Sequence, residues 1–137
     1  MYTMLQACRE TNMTYEALKF YCNEGLVPNV KRDKNNRRVF DDHDVAWLQS
    51  LSCLKNCGMS IQEMKTYLDL CLQGARTIPQ RKIILEKKRA DLLKRMEELS
   101  QSVAYIDNKQ RFYDDVLSGK RPYVSNLIPV NAAGQAE

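Results

Sequence analysis

The chain has 137 residues, 44% of them apolar and 28% charged, with 5 Gly and 4 Pro. That composition fits one ordinary domain, or a small domain plus an extended element, and excludes a disordered or collagen-like polymer. The net charge of +4 is too small to name a partner, and no apolar run approaches the ~18 residues of a membrane helix, so a membrane partner is not expected.

Charge distribution is more informative. Between Lys31 and Arg38 there are five basic residues (Lys31, Arg32, Lys34, Arg37, Arg38) against Asp33 alone, and between Arg76 and Arg95 eight against Glu86 and Asp91. These two stretches are the candidates for a polyanion contact or for a solvated charged face. Met1-Tyr2-Thr3-Met4 opens without the basic patch and apolar core of a secretory signal. With five cysteines, an odd number lacking a regular framework, this favours free thiols and a cytoplasmic location.

A first short helix over Thr3 to Glu10 takes Thr3 as N-cap and is expected to turn Met4, Leu5, Ala7 and Cys8 toward the core. After Thr11-Asn12-Met13, Thr14 caps a second helix in which Ala17, Leu18 and Tyr21 recur at helical spacing, and Gly25 stops it. Two short helices around a three- or four-residue break suit a helix-turn-helix. Val27-Pro28 begins an extended piece, and Asn35-Asn36 tolerates the positive φ of a tight hairpin, so a two-stranded wing is expected. Asp41, with Asp44 three positions on, caps a third helix with Val45, Leu48, Leu51 and Leu54 inward, ending at Gly58. Ser60-Ile61-Gln62-Glu63 has the form of a capping box for a fourth helix, with Ile61, Met64, Leu68 and Cys71 inward and a stop near Gly74.

Thr77-Ile78-Pro79-Gln80 is a further capping signal, and no Gly or Pro then occurs until Gly119. A helix over 77–117 would extend ~60 Å, too long to bury its apolar stripe on so small an N-terminal domain. The stripe is Leu85, Leu92, Met96, Leu99, Val103, Ile106, Tyr113 and Leu117, with gaps alternating four and three from Leu92 to Ile106. This is a coiled-coil seam, interrupted by Arg89 and Gln110, whose simplest partner is a second copy of the chain. The expected organisation is a DNA-binding domain over 1–75, a dimerisation helix over 77–117 with Leu92, Met96, Leu99, Val103 and Ile106 in the interface, and an irregular or disordered tail over 118–137.

Leu18-Lys19-Phe20-Tyr21, Glu24-Gly25-Leu26-Val27-Pro28, the wing run Arg32 to Phe40, Asp44-Val45, Gly58-Met59-Ser60-Ile61 and Glu63-Met64 together resemble the MerR family of bacterial transcription regulators over residues 1 to 117. The resemblance implies a mainly α fold, a winged helix-turn-helix followed by an antiparallel coiled coil in a homodimer. It also implies a palindromic promoter as partner, and activation by bending and untwisting an over-long spacer so that RNA polymerase sees both promoter elements. Lys19 stands where the family usually has Arg, and Cys22 where it commonly has Glu, so base preference is expected to differ from close relatives. Ser52-Cys53-Leu54-Lys55-Asn56-Cys57-Gly58-Met59-Ser60 resembles the aldehyde- and thiol-stress-responsive subgroup, which implies Cys53 as the sensing thiol; no role carries over to Cys57.

Physical chemistry selects the contact candidates within that frame. Duplex binding needs cations for phosphates and an element that fits the major groove. Thr14, Tyr15, Glu16, Lys19 and Phe20 lie along the second helix, with Lys19 a donor to guanine or phosphate, and the Tyr21 hydroxyl either reaches phosphate or packs. Lys31, Arg32, Arg37 and Arg38 form the wing set; strand alternation turns one of the last two to the duplex, and family position favours Arg38. Cys53 and Cys57 stand one helical turn apart, ~5–6 Å between Cβ atoms, too wide for an unstrained disulfide and two ligands short of a tetrahedral zinc site. No metal, cofactor or catalytic residue is expected, because His43 bears no sequence relation to a thiol and neither phosphate loops nor paired catalytic carboxylates are visible. The alternatives are a regulator without a covalent sensor, a coiled-coil adaptor, which leaves the wing unexplained, and a thiol redox protein, which lacks an activating motif.

Overall fold

In the computed structural model, which describes residues 1–137, the order is β1 (Tyr2–Thr3), α1 (Met4–Thr11), α2 (Tyr15–Asn23), β2 (Lys31–Arg32), β3 (Arg38–Phe40), α3 (Asp42–Asn56), α4 (Ile61–Leu72), a 3-10 turn (Ala75–Thr77) and α5 (Ile78–Leu117). The chain divides into Met1–Leu92 and Leu93–Glu137. The division falls inside α5, whereas the sequence suggests a boundary at 75–77, because the first turns of α5 pack on the first unit. Ile84 lies against its core, and Lys88 pairs with Glu63 of α4 at 2.7 Å.

Local side chains set the helix ends in the first unit. Thr3, Asp41 and Ser60 each accept a bond from the backbone N–H three residues on, while Gln6, Asp44 and Glu63 return it, giving three reciprocal capping boxes. Asn12 closes α1 at φ 53°, and Gly25 follows α2 at φ 76°, where the Leu26 N–H donates to the Tyr21 carbonyl at 3.0 Å. The helix-turn-helix is therefore closed on both sides by residues that tolerate left-handed backbone.

Leu18, Leu26, Phe40, Leu48, Leu51 and Met64 are the largest fully buried side chains, each worth about 1.5–3 kcal/mol of apolar transfer. They come from α2, the turn after it, β3, α3 and α4, so one core fixes all these elements together. The Trp47 indole N–H donates to the Leu26 carbonyl at 2.7 Å, and Lys65 of α4 pairs with Glu24 at 2.9 Å, both gripping the turn that leaves α2.

Several expectations are corrected. Leu5 is 60% exposed, because at 3.6 residues per turn it lies about 200° around α1 from buried Ala7. The sheet has three antiparallel strands, ordered β1-β3-β2: Tyr2 and Thr3 pair with Phe40 and Val39, while Lys31 and Arg32 pair with Val39 and Arg38. The hairpin spans Asp33 to Arg37 and not Asn35-Asn36 alone; Asp33 Oδ1 accepts from the N–H groups of Asn35 and Arg37, and of the two asparagines only Asn36 takes positive φ. Thr77 does not cap α5. It is buried, its hydroxyl donates back to the carbonyls of Leu70 and Gly74, and it accepts from Arg81 Nε at 3.1 Å.

In the second unit α5 leaves Met96, Leu99, Val103, Ile106 and Leu117 from 56% to 86% exposed. The segment after Leu117 has no helix; its last residues turn back through a bridge between Val130 and Ala136, around an Asn131 side chain that accepts from Ala133 and Gln135 N–H.

Candidate nucleic-acid interface

Helix α2 is divided by its own periodicity. Leu18 and Tyr21 are buried, so Tyr15, Glu16, Lys19 and Phe20 are left on the exposed side, beginning at Thr14, whose hydroxyl accepts from Ala17 N–H at 3.1 Å. Lys19 has no carboxylate partner, and Phe20 holds an exposed ring 6.1 Å from that of Tyr21. The Tyr21 ring packs in the core at 4% exposure, and that burial pushes its phenol above the ordinary range.

The four wing cations named as contact candidates are not equivalent. Lys31 pairs with Asp41 at 3.0 Å, and the Arg32 guanidinium donates to the Asn36 carbonyl at 2.8 Å, bracing the hairpin tip. Arg38 is half-buried and donates to Asn23 Oδ1 at 2.7 Å. Arg37 is exposed and has no carboxylate partner, which leaves it and Lys19 as the free cations of the set. Asp41 is held at about 2, chiefly by the Asp44 N–H of the helix cap and then by Lys31, so it stays ionised and keeps Lys31 engaged.

Wing and helices meet around a cavity of about 570 Å³ lined by Met4, Leu5, Tyr15, Arg32, Arg37 and Arg38 among others. Three guanidinium groups, the Asp33 carboxylate, the Tyr15 hydroxyl and the apolar side chains of Met4 and Leu5 converge there. Such a surface pairs with phosphates through charge and meets sugars or base edges through its apolar part. Leu5 lines this cavity although the sequence suggests an inward side chain, and Asn23, which the sequence does not single out, holds the Arg38 guanidinium beside it. The helix spacing of Leu5 against Ala7 was the available signal.

The thiols lie elsewhere in the first unit. Cys53 is exposed on α3 and borders a shallow depression with Trp47, Ser50, Leu54, Tyr67 and Cys71. Cys57 is the C-cap of the same helix, its N–H bonded to the Cys53 carbonyl at 3.0 Å, so helical geometry persists across both thiols. Burial raises Cys8 and Cys22; at Cys22 the nearby Arg38 and Arg32 only partly oppose it. Cys71 Sγ accepts from the Arg81 guanidinium at 3.9 Å. No three His, Cys, Asp or Glu side chains are grouped so as to hold a metal ion, and no helix is long and apolar enough to cross a membrane.

Comparison with known proteins agrees with this geometry. The family described as MerR HTH family regulatory protein matches residues 2–71, and that described as MerR, DNA binding, matches residues 45–108. The chain is 35% identical over 112 residues to an uncharacterized HTH-type transcriptional regulator of Haemophilus influenzae, spanning 82% of this chain and 83% of that one. It is 34% identical over 88 residues to the HTH-type transcriptional regulator AdhR of Bacillus subtilis, 64% of this chain and 63% of the other. Among solved structures, HiNmlR, described as a MerR family regulator lacking the sensor domain and bound to promoter DNA, superimposes with a TM-score of 0.73 at 33% identity, covering 85% of this chain and 93% of that one. A MerR family transcriptional regulator from Bacillus thuringiensis gives 0.71 at 28% identity, covering 82% and 98%.

Proposed function

The chain belongs to the MerR family of DNA-binding transcriptional regulators, and from that premise we propose that it acts as a homodimer on a palindromic promoter and responds to electrophiles such as aldehydes through Cys53. The observation that carries the DNA contact is the exposed face on which Lys19 of α2 and Arg37 of the wing are unpaired while Arg38 bridges the two elements. In this reading Lys19 reaches a base edge or phosphate, Arg37 and Arg38 contact phosphate, and Thr14, Tyr15, Glu16, Phe20, Tyr21, Lys31 and Arg32 shape or support the contact. Phosphate contacts set orientation; base-edge contacts and DNA deformability supply discrimination.

The seam of α5 supports self-association, since Leu92, Met96, Leu99, Val103 and Ile106 are spaced to meet a second copy and the last four are exposed. Two heads so joined match two half-sites, and a bend imposed on the intervening DNA would present both promoter elements to RNA polymerase. Cys53 supports the sensing role by its exposure on α3, where an adduct would alter packing against neighbouring helices. A regulator without a covalent sensor is the competing reading, favoured because the guanidinium bond to a thiol in this chain goes to Cys71 and not to Cys53.

Selection of bound duplexes from a random pool tests the core of the proposal. Recovery of a palindrome with steeply salt-dependent affinity is expected; recovery of single half-sites, or no enrichment, would remove the homodimer reading.

A further inference from the structure

The second unit contains a cavity lined by none of the residues proposed to contact DNA. Its volume is about 550 Å³, within the ~300–1,000 Å³ typical of small-molecule sites. One wall is α5, through Tyr105, Lys109, Phe112 and Tyr113, and the other is the segment after the helix, through Tyr123 to Leu127. Four aromatic rings therefore line one space, with the side-chain amides of Asn108 and Asn126 beside them.

Its charge is one-sided. No carboxylate lines the cavity, and its single cation, Lys109, has no acidic partner; the ammonium lies 5.5 Å from the Phe112 centroid and 5.7 Å from that of Tyr113. Arg121 also lies over Phe112, at 5.6 Å, but is paired with Asp115 at 3.6 Å. An ammonium without an acidic partner, held among rings, attracts an anion, and four rings with the aliphatic side chains of Val124 and Leu127 beside them attract a flat π-system. The position is also off the proposed seam. Around α5, Tyr105, Lys109 and Phe112 stand about 100°, 60° and 120° from Ile106, all to the same side, and only Tyr113 is shared.

We propose that this cavity binds a planar aromatic carboxylate, its carboxylate on Lys109 and its ring among the tyrosines, and so gives the chain a non-covalent ligand site separate from its thiols.

The distribution of tyrosines makes the test direct. Of seven tyrosines, Tyr105, Tyr113 and Tyr123 line the cavity, while Tyr2, Tyr15, Tyr21 and Tyr67 lie in the first unit. The full chain is titrated with 2-naphthoate, and separately with the neutral 2-naphthalenemethanol, while aromatic carbon–proton NMR signals are followed. The expected result is saturable shifts of the three cavity tyrosines. Lys109→Met should weaken 2-naphthoate roughly tenfold, the loss of one charge-assisted bond, and leave the alcohol within about twofold, while Lys109→Arg should restore the anion. Absence of saturable shifts, shifts centred on Tyr2 and Tyr15 beside the wing, or equal weakening of both probes by Lys109→Met would each overturn the proposal.

Discussion

Asn23, the last residue of α2, accepts a 2.7 Å hydrogen bond from the Arg38 guanidinium of β3, so the end of the exposed helix and the wing are tied side chain to side chain. Removing either partner separates charge from position. Arg38→Ala and Arg37→Ala should each weaken binding to all sequences and lower the salt slope by about one ion. Asn23→Ala should cost less affinity and leave the slope unchanged, because the cation remains. Fluorescence anisotropy at several salt concentrations distinguishes them, and a slope change for Asn23→Ala would show that the bridge has been misassigned.

Lys19→Ala should alter the preferred sequence as well as the affinity. Lys19 is exposed and without an acidic partner on α2, so its ammonium is available to a base edge, and loss of a good base contact costs about 1–3 kcal/mol of discrimination. Comparing sequences selected by wild type and variant reads this out; identical motifs at uniformly lower affinity would assign Lys19 to phosphate alone.

Leu99→Asp should leave the monomer folded and abolish association. Leu99 is 66% exposed in the single chain, so the carboxylate meets water there and becomes costly only when the seam closes over it. Sedimentation gives the mass, and promoter binding should fall with it. An unchanged dimer would place the interface on another face of α5.

Cys53→Ala should bind the promoter as wild type does but fail to respond to an aldehyde. Cys71 is the comparison to make, because it alone among the thiols receives a guanidinium, from Arg81 at 3.9 Å. Mass mapping after brief electrophile treatment is expected to find the adduct on exposed Cys53. Modification confined to Cys71, or full induction in the Cys53→Ala strain, would transfer or remove the sensor.

Asp41 predicts behaviour in acid. Its carboxyl is held at about 2, against an ordinary value of 3.8, by the Asp44 N–H and then by Lys31. A group with a lowered folded pKa favours the fold above its unfolded value, and that contribution is lost as pH falls from about 3.8 through about 2. Asp41→Asn should therefore be less stable than wild type at neutral pH, with the gap narrowing across that interval. Circular dichroism during acid titration checks it; a gap that widens as pH falls would contradict the assigned pairing.

Most of the helical frame was legible because it is written in short-range chemistry. Thr3, Thr14, Asp41 and Ser60 are capping residues whose partners lie three positions on, and all four cap helices here. Strand β1 was not legible, since two residues carry no period and their pairing with Val39 and Phe40 is wholly non-local. Thr77 misled for a related reason: the same hydroxyl that accepts from a following N–H can donate to an earlier carbonyl, and burial beside Leu70 and Arg81 selected the second role. On the proposed contact face, residue types named the cations, but only the fold separates free Arg37 from Lys31, Arg32 and Arg38, whose partners lie four to fifteen residues away.

Trp47 is the only tryptophan in the chain, and its indole N–H is bonded to the carbonyl of Leu26 in the turn that leaves α2. Its emission therefore originates from a single, known joint between α3 and the exit of the exposed helix, and indole emission shifts with the polarity around the ring. Any event that lifts α2 from α3 would move that ring toward water and redden the spectrum, so the molecule carries an unlabelled optical gauge of its own head, readable in a cuvette while DNA or an electrophile is added.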